Sequence, residues 1–599
     1  MSHRLSRRWL LKAGLGAGLA GGLGVAYPYL SEASGGASAG AADPRTFPSP
    51  YLEPYVDELP VPPVVGGDRT MAVASAKHRF HRDLDAAPTW GYGGQTYLGP
   101  TVDAHADEPL ELTFENRLGM HLFAKDIDTS LHGATEQART MPPVSVHLHG
   151  AVAPPDMDGH PEDVFMPGTS RRYRYGNTQQ AAHLWYHDHA EGLTRLNVFG
   201  GLAGMYLLRD GFDTGGADNA WGLPSGEFEL PLVLQDRRFH EDGSLNFRTL
   251  TIIPEGKWDP GQIGDLMTVN GVVSPYYRVA KGLYRFRVVN GSNYRSYHLF
   301  FSNRMAFWVI GNDGGMLDAS VLTTSVRLTP GERIDLVVDF SRLAKGEQVE
   351  LTNDQEEVPI IKLVSGAEPL PHLVRFIGTG VTGHSATPPA RLRGGVGRPP
   401  LLPRPDTPVR TRVVALTQDG DLTRWPPVGM SLNNLSFTDE DIEMPRQGTT
   451  ELWEIVNVTV EEHPVHLHLV NMRILNRQEL RLGAYMLANP RPAKGTRWAP
   501  SPERFLKGEP QSPEAWEAGP KDTVACPEGM VTRVLVRFPS ADELGFDPDA
   551  TWEAASGGDS MQGMEGDQQG HKLQGYVWHC HILDHEDDCM MARYRLVES

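Results

Sequence analysis

Residues 579–590 read HCHILDHEDDCM, and this stretch places two kinds of metal-binding side chain on one short segment. Cys580 stands between His579 and His581. In a β-strand, residues i and i+2 point to one face and residue i+1 points to the other. A strand here therefore presents two imidazoles on one side and a thiol on the opposite side. In a strand, the tripeptide would therefore contact two separate sites, one on each face.

The same His-x-His spacing occurs three more times in the chain. One such pair alone is often only a surface feature, but four pairs among 23 histidines, each beside strand-like residues, make chance a poor explanation. Eight imidazoles from four strands are able to converge on a cluster of metal ions, and imidazole suits copper, zinc, iron and nickel. The predicted cluster ligands are His147, His149, His187, His189, His466, His468, His579 and His581.

The thiol side of the opening stretch needs ligands of its own. His585 lies five residues beyond Cys580 and Met590 lies ten residues beyond it, while His463 precedes the third His-x-His pair. Two imidazoles, a thiolate and a weak axial thioether form the ligand set of a blue (type 1) copper site. Met591 competes for the axial position, and core packing is the alternative role for either methionine; the spacing favours Met590.

The composition favours many short strands. The chain of 599 residues contains 64 Gly and 47 Pro, which is typical of strands joined by turns rather than of long helices. At a common domain size of roughly 100–200 residues, the length suggests three or four domains. The formal net charge of −20 argues against nucleic acid as a partner.

Strand and turn segments alternate in three blocks, each with the texture of a β-sandwich or Greek-key barrel. A Pro/Gly/Arg-rich stretch between the second and third blocks is interpreted as a linker. Residues 501–520 and 556–571 are interpreted as loops of the third block. The predicted organisation is a signal at 1–39, domain 1 at 45–212, a structural domain 2 at 225–380, the linker at 381–411 and domain 3 at 412–599.

The N-terminal segment 1–39 is interpreted as an export signal. Arg7 and Arg8 precede a weakly apolar, Gly-rich stretch, and the small residues 37–39 (ASA) follow as a cleavage signature. Paired arginines before such a stretch are typical of twin-arginine export. A membrane anchor is the alternative, but the apolar stretch is short and diluted by Gly. We expect a periplasmic or extracellular protein with no stable membrane insertion after cleavage.

Three cysteines occur, at positions 526, 580 and 589. This small number excludes a disulfide framework as the main stabiliser. Cys580 is interpreted as a metal thiolate. Cys526 and Cys589 are then either a disulfide formed in an oxidising compartment or two inert thiols, and spacing alone does not decide between these states.

The histidine motifs resemble those of a known family. Together they are similar to all four copper motifs of the multicopper oxidases. Further likeness points to the bacterial spore-coat laccase branch, with its bilirubin-oxidase and phenoxazinone-synthase (o-aminophenol oxidase) relatives, and covers most of residues 45–599. The segments that carry the likeness are 147–150 (HLHG), 184–190 (LWYHDHA), 194–197 (TRLN), 284–288 (YRFRV), 448–451 (GTTE), 463–468 (HPVHLH) and 579–590.

The resemblance implies three cupredoxin-like domains and four copper ions per chain. A type 1 ion would be held by His463, Cys580 and His585, with Met590 as the axial ligand. A type 2 ion would be held by His147 and His466. The ligands of the type 3 pair would be His149, His187, His189, His468, His579 and His581.

Two carboxylates near these motifs are candidates for handling protons. Asp158 follows the first histidine pair, and it matches the family position better than Asp156 does. Glu586 directly follows His585. Reduction of O2 to water consumes protons, so both carboxylates are interpreted as proton carriers, as groups that orient an imidazole, or as both.

The implied activity is that of a laccase. A small phenolic or aminophenolic reductant gives up single electrons near a type 1 histidine, the electrons pass through Cys580 to the imidazole cluster, and O2 is reduced to water. A methionine as axial ligand implies an intermediate type 1 potential. Because the complete cluster lies within one chain, an oligomer is not required.

Several alternatives stay open for the substrate. A cuprous oxidase for copper tolerance and a bilirubin oxidase would use the same copper ligands. Met561, Met564 and His571 lie in a polar segment that suits a cuprous oxidase but also suits a plain linker.

Two other classes of copper protein fit the sequence less well. A two-domain copper nitrite reductase would carry fewer histidine pairs than this chain has. A non-enzymatic copper-storage or electron-carrier protein would need only the type 1 site.

Overall fold

The computed structural model describes residues 46–251, 253–354, 369–404, 406–420, 426, 428–555 and 572–598. The predicted export signal at 1–39 and the polar segment 556–571, with Met561, Met564 and His571, lie outside the described residues. None of the helices within these ranges has the length and the apolar character needed to cross a membrane.

The first part of the chain forms two facing sheets. One has the strand order β1-β4-β9-β8-β6 and the other the order β3-β2-β5-β7. β5 alternates buried and half-buried residues, as expected for a strand with one face on a core. The strands are β1 (Val64–Val65), β2 (Arg69–His78), β3 (Ala87–Tyr92), β4 (Thr101–His105), β5 (Leu110–Asn116), β6 (Val146–His149), β7 (Ser170–Tyr175), β8 (Ala182–Asp188) and β9 (Ala203–Arg209).

The middle part of the chain repeats this plan. Its sheets have the orders β12-β11-β10-β14-β19-β16-β17 and β13-β21-β20-β15-β18. The strands are β10 (Glu229–Arg237), β11 (Leu266–Val269), β12 (Val272–Val273), β13 (Tyr276–Lys281), β14 (Leu283–Asn290), β15 (Tyr297–Phe301), β16 (Phe307–Asn312), β17 (Gly315–Thr323), β18 (Ser325–Leu328), β19 (Arg333–Asp339), β20 (Gln348–Asn353) and β21 (Val374–Thr382).

The last part forms sheets of order β23-β22-β24-β29-β26-β27 and β28-β25-β32-β33, with a separate ribbon of β30 and β31. The strands are β22 (Arg410–Gly420), β23 (Val428–Leu432), β24 (Thr449–Asn457), β25 (His463–Leu467), β26 (Met472–Leu480), β27 (Leu506–Gln511), β28 (Thr523–Cys526), β29 (Met530–Phe538), β30 (Thr551–Glu553), β31 (Lys572–Gln574), β32 (Tyr576–Cys580) and β33 (Met591–Tyr594).

Helices are short and few in the described ranges. Five single 3-10 turns occur at Gln137–Arg139, Pro155–Met157, Gly226–Phe228, Glu503–Phe505 and Ala515–Glu517. The α-helices are α1 (Thr194–Gly200), α2 (Leu482–Ala488), α3 (Ala541–Leu544) and α4 (Leu583–Asp588). The all-β prediction is therefore confirmed, while the domain boundaries stay a prediction.

Two segments differ in detail from their sequence interpretation. The interpretation of 501–520 as a loop is wrong for β27, which pairs with β26 at the sheet edge. Nearly every residue of β27 is exposed, so its sequence carries no alternation of apolar and polar residues. The stretch interpreted as a linker packs against the middle sheets. Its Leu392 is fully buried, and the Leu392 carbonyl accepts a 2.9 Å hydrogen bond from Trp221 Nε1.

Three apolar cores lie inside the three sheet pairs, and a fourth cluster joins all three parts of the chain. The joining cluster includes Phe123 and Phe199 from the first part, Phe247 and Trp258 from the middle part, and Leu583 from the last part. Burial of these large side chains holds the first and last sheets face to face. β6 and β8 are thereby brought opposite β25 and β32.

Candidate metal centre

The four histidine pairs converge between the first and last sheets. β6 and β8 are antiparallel neighbours that place His147 opposite His187, and β25 and β32 place His466 opposite His579. Strand alternation then points both members of each pair to the same side. All eight predicted cluster histidines are at most 1% exposed.

The imidazoles fall into three groups whose nitrogens lie within 4.8 Å of one another. Every group combines histidines from the first and last sheets, so the packing of the two ends of the chain creates the cluster. The groups are His147, His466 and His468; His149, His187 and His581; and His189, His468 and His579.

The imidazoles are in the form that binds metal ions. Burial lowers the pKa of His187 and His189 to about 3 and that of His579 to about 4, so each ring is neutral at neutral pH. Buried ring nitrogens normally have hydrogen-bond partners. Here Nε2 of His147, His187 and His466 has none among the described residues. Neutral imidazoles whose unpaired nitrogens lie in close groups fit copper ions.

The second site lies on the other face of β32. Cys580 Sγ is 3.4 Å from His463 Nδ1 and 3.9 Å from His585 Nδ1, and the two nitrogens are 3.3 Å apart. The three side chains are fully buried. Burial holds the pKa of the Cys580 thiol well above its usual range, and the thiolate is the form of cysteine that binds metal ions. This trio fits a type 1 copper ion.

The two neighbouring methionines pack in different places. Met590 is fully buried in the same apolar cluster as Cys580, and its carbonyl accepts a 2.9 Å hydrogen bond from the Cys580 amide. Met591 packs instead with Phe437 and Val577. These surroundings support Met590 over Met591 as the axial ligand.

Both predicted carboxylates contact cluster imidazoles. Asp158 Oδ2 lies 2.6 Å from His468 Nδ1, and burial raises the pKa of Asp158 well above its ordinary value. Glu586 lies 3.0 Å from His579 Nδ1 and 3.4 Å from His189 Nδ1. Burial raises the pKa of Glu586 to about 7, although the nearby His189 acts to lower it.

Several polar residues at the two sites carry no motif in the sequence. Asp522 Oδ1 accepts a 2.9 Å hydrogen bond from His149 Nε2. Thr459 Oγ1 lies 2.7 Å from His463 Nε2. Glu461 Oε1 lies 3.6 Å from His585 Nε2, and its other oxygen accepts from the Tyr294 hydroxyl. No sequence motif marks Asp522, which lies beside the cluster because β28 pairs with β25.

The cysteines are all in the thiol form. Cys526 is buried in β28, where burial raises its pKa to about 12, and Cys589 is partly exposed. Of the two states that the sequence left open for this pair, the structure therefore has two thiols rather than a disulfide.

Residues 136–212 and 404–545 each match a family model described as multicopper oxidase. A laccase of Bacillus subtilis is 34% identical over 564 residues, covering 90% of this chain and 97% of the relative. The chain belongs to the multicopper oxidase family. The multicopper oxidase LPR2 of Arabidopsis thaliana is 32% identical, with 87% of each chain covered.

Solved structures show the same fold for this multicopper oxidase. The laccase-like multicopper oxidase CueO of Ochrobactrum sp. is 25% identical, with a TM-score of 0.63 over 90% of this chain and 100% of that chain. A multicopper oxidase of Campylobacter jejuni, described as a metallo-oxidase, is 17% identical, with a TM-score of 0.65 over 93% of this chain and 98% of that chain. The protein is a copper oxidoreductase that uses O2, built from cupredoxin-like domains.

Proposed function

We propose that this multicopper oxidase is a laccase: it takes single electrons from small phenolic or aminophenolic reductants and uses four of them to reduce O2 to water. The observation that carries the proposal is the tripeptide His579-Cys580-His581. Its thiol belongs to the trio with His463 and His585, while its imidazoles belong to two different groups of the eight-histidine cluster.

The residues suit four copper ions. A type 1 ion would be held by His463, Cys580 and His585 together with Met590, and a type 2 ion would be held by His147 and His466. The groupings of nitrogens support a type 3 pair with three imidazoles each. The two sets are His149, His187 and His581, and His189, His468 and His579.

When bound, copper supplies one-electron chemistry at the type 1 site and multi-electron reduction of O2 at the cluster. The protein contributes the path between them, because Cys580 is covalently joined to His579 and His581. Burial of the cluster excludes bulk water. Asp158 beside His468 Nδ1 and Glu586 beside His579 Nδ1 are placed to hold protons that O2 reduction consumes.

The surroundings of His585 support a neutral or cationic reductant. The ring is fully buried, and its Nε2 edge faces the carboxylate of Glu461 at 3.6 Å. Tyr294, 6% exposed, packs edge-on to the same ring at 5.8 Å between centroids. A carboxylate at this edge disfavours anions such as bilirubin, and phenols or aminophenols suit it better.

A substrate panel on the copper-loaded full chain tests the proposal. Rates of O2 consumption are measured with substituted phenols, o-aminophenol, bilirubin and Cu(I), with Cys580→Ser as the control for background oxidation. We expect the highest kcat/KM for phenols or o-aminophenol, and one O2 consumed for every four electrons without peroxide release. A higher kcat/KM for Cu(I) than for every organic reductant would replace the laccase assignment with a cuprous oxidase.

We also propose export by the twin-arginine route to the periplasm or the extracellular space, supported by Arg7 and Arg8 before the Gly-rich stretch. Replacing both arginines with lysine keeps the charge but removes the pair. The double variant is expected to accumulate inside the cell, whereas the Arg4→Lys control is exported. Equal export of both proteins would contradict the proposal.

A further inference from the structure

Asp522 is held immediately beside the cluster by the side chains around it. It precedes β28 and is 2% exposed. Its Oδ1 accepts hydrogen bonds from His149 Nε2 at 2.9 Å and from Thr523 Oγ1 at 2.9 Å. Its main-chain oxygen lies 2.9 Å from His466 Nδ1. One residue therefore contacts imidazoles assigned to two different kinds of copper site.

The carboxylate of Asp522 accepts four hydrogen bonds from protein side chains, three on Oδ1 and one on Oδ2. Arg333 Nη1 donates to Oδ1 at 2.6 Å and Arg333 Nη2 donates to Oδ2 at 2.5 Å, in the paired geometry of a bidentate Arg–carboxylate contact. With His149 and Thr523 also donating, little acceptor capacity is left for a metal ion. The contact to His149 is thus one that orients a ligand rather than one that adds a ligand.

The hydrogen bond decides which nitrogen of His149 is available. An ionised carboxylate only accepts hydrogen bonds, so His149 Nε2 carries the hydrogen. Nδ1 then bears the lone pair, and among the described residues it has no hydrogen-bond partner. Nδ1 is therefore the nitrogen left for the metal in the group with His187 and His581.

Arg333 brings the middle part of the chain into this site. It begins β19, its side chain is fully buried, and its Nε donates to the carbonyl of His183 in β8 at 3.0 Å. The main-chain amide of Arg333 donates to Asp313 Oδ1 at 2.8 Å. Arg333 thus contacts strand β8 of the first sheets and Asp522 of the last part, and its guanidinium has little freedom to move.

Two glycines allow this close approach. A Cβ on Gly150, where φ is +87°, would lie 2.6 Å from both Arg333 Nη2 and Asp522 Oδ2. A Cβ on Gly331, where φ is +83°, would lie 2.7 Å from the ring of His581. The turn before β19 therefore packs directly on one imidazole of the cluster, while the Arg333 side chain reaches another through Asp522.

We infer that Arg333 and Asp522 are positioning residues for the type 3 copper pair, and that the middle domain acts on O2 reduction through them. The inference rests on the proposed assignment of His149 as a copper ligand. The middle domain, whose sequence carries no copper motif, would thereby have a role at the cluster. Residues that orient metal ligands typically change metal affinity or activity by about 10–100-fold when replaced.

The test compares copper binding in Asp522→Asn and wild-type full chains. An asparagine can turn its amide N–H toward His149 Nε2, which would move the hydrogen to Nδ1 and block ligation. We expect cluster copper affinity to fall about 10–100-fold, with the blue type 1 absorption retained. EPR should detect type 3 copper that is silent in the coupled wild-type pair.

Two more variants separate positioning from folding. Asp213→Asn is the matched control, since Asp213 is 2% exposed and accepts from Arg285 at 2.8 Å through both oxygens, without contact to an assigned ligand. It should lose stability but keep its copper. Arg333→Lys keeps the positive charge but removes the paired contact with Asp522, and it decides the question if Asp522→Asn does not fold.

The outcomes are distinct. Loss of cluster copper in Asp522→Asn or Arg333→Lys supports the inference, provided that both variants keep type 1 copper and Asp213→Asn keeps all of its copper. Wild-type copper content and wild-type EPR in the folded Asp522 or Arg333 variant overturn it. A wild-type chain that binds no copper at the cluster would instead refute the proposed function itself.

Discussion

Asp158 Oδ2 lies 2.6 Å from His468 Nδ1, although 310 residues separate the two along the chain. The main-chain oxygen of Asp158 also lies 2.6 Å from His147 Nδ1. One residue therefore orients imidazoles from both ends of the chain and leaves their other nitrogens for metal ions. The pairing explains why the first and last sheets must pack together before O2 can be reduced.

Replacing Asp158 with Ala is expected to slow O2 reduction and to spare the type 1 site. Without the Asp158 carboxyl group, His468 Nδ1 has lost its hydrogen-bond partner. The proton that this carboxyl group would hold is also no longer available. We expect kcat to fall about 10–100-fold with every reductant. Anaerobic reduction of the blue site, followed by its absorption, should keep its wild-type rate. Asp156→Ala in the same turn is the control, and an equal loss of kcat in both variants would contradict the assigned role.

Replacing Met590 with Leu is expected to raise the reduction potential of the type 1 site. The substitution removes a weak axial thioether, which otherwise stabilises the oxidised ion, while keeping an apolar side chain of similar volume. A redox titration of the blue absorption measures the change. Met591→Leu, at the neighbouring buried position, should leave the potential unchanged. A shift in the Met591 variant alone would make Met591 the axial ligand.

Replacing Gly331 with Ala is expected to disturb His581. The position has φ +83°, and the new Cβ would lie 2.7 Å from the imidazole ring. The left-handed backbone costs about 1–2 kcal/mol, and displacing the ring lowers cluster copper content. Gly346→Ala shares the strain, with φ +81°, but has open space around its Cβ. Copper content should fall only in Gly331→Ala, while equal content in both variants would contradict the expectation.

Acid is expected to weaken the contact between the first and middle sheets through Glu229. Burial alone would raise the pKa of this carboxyl, but the guanidinium groups of Arg287 and Arg209 outweigh burial and hold it at about 2. The unfolded chain binds the proton more tightly, so the stabilisation is complete above the unfolded pKa of roughly 4.3 and is lost as pH falls toward 2.

Denaturant unfolding at several pH values measures this effect. Glu229→Gln should be less stable than wild type at neutral pH, and the difference should shrink by roughly 3 kcal/mol as pH falls through that window. The exposed Glu227→Gln is the control and should follow wild type throughout. A constant gap between wild type and Glu229→Gln across the window would show that ionised Glu229 does not stabilise the fold.

The side chains that converge at the two sites could be picked out from the sequence because their signal is local. A His-x-His pair on a strand such as β6 puts His147 and His149 on one face whatever surrounds it. The Cys580 thiol follows from the same alternation, and His463, His585 and Met590 lie close to those motifs in sequence. All twelve predicted ligands lie in the two sites or, for Met590, in the apolar cluster around Cys580.

The supporting residues were not predictable in the same way. Asp522 and Arg333 are 189 residues apart, and neither has a spacing that marks it. Their roles depend on how three sheet pairs pack, which no local pattern encodes. β27 was missed for a different reason, since an exposed edge strand needs no apolar face.

The spectrum and activity of the Cys580→Ser chain test the central claim most directly. Cys526→Ser is the matched control, because Cys526 is an equally buried thiol in the same sheet and the same apolar cluster. We expect Cys580→Ser to lose the blue absorption and all oxidase activity, and Cys526→Ser to keep both. A blue, active Cys580→Ser enzyme would contradict the assignment of Cys580 as the link between the two copper sites.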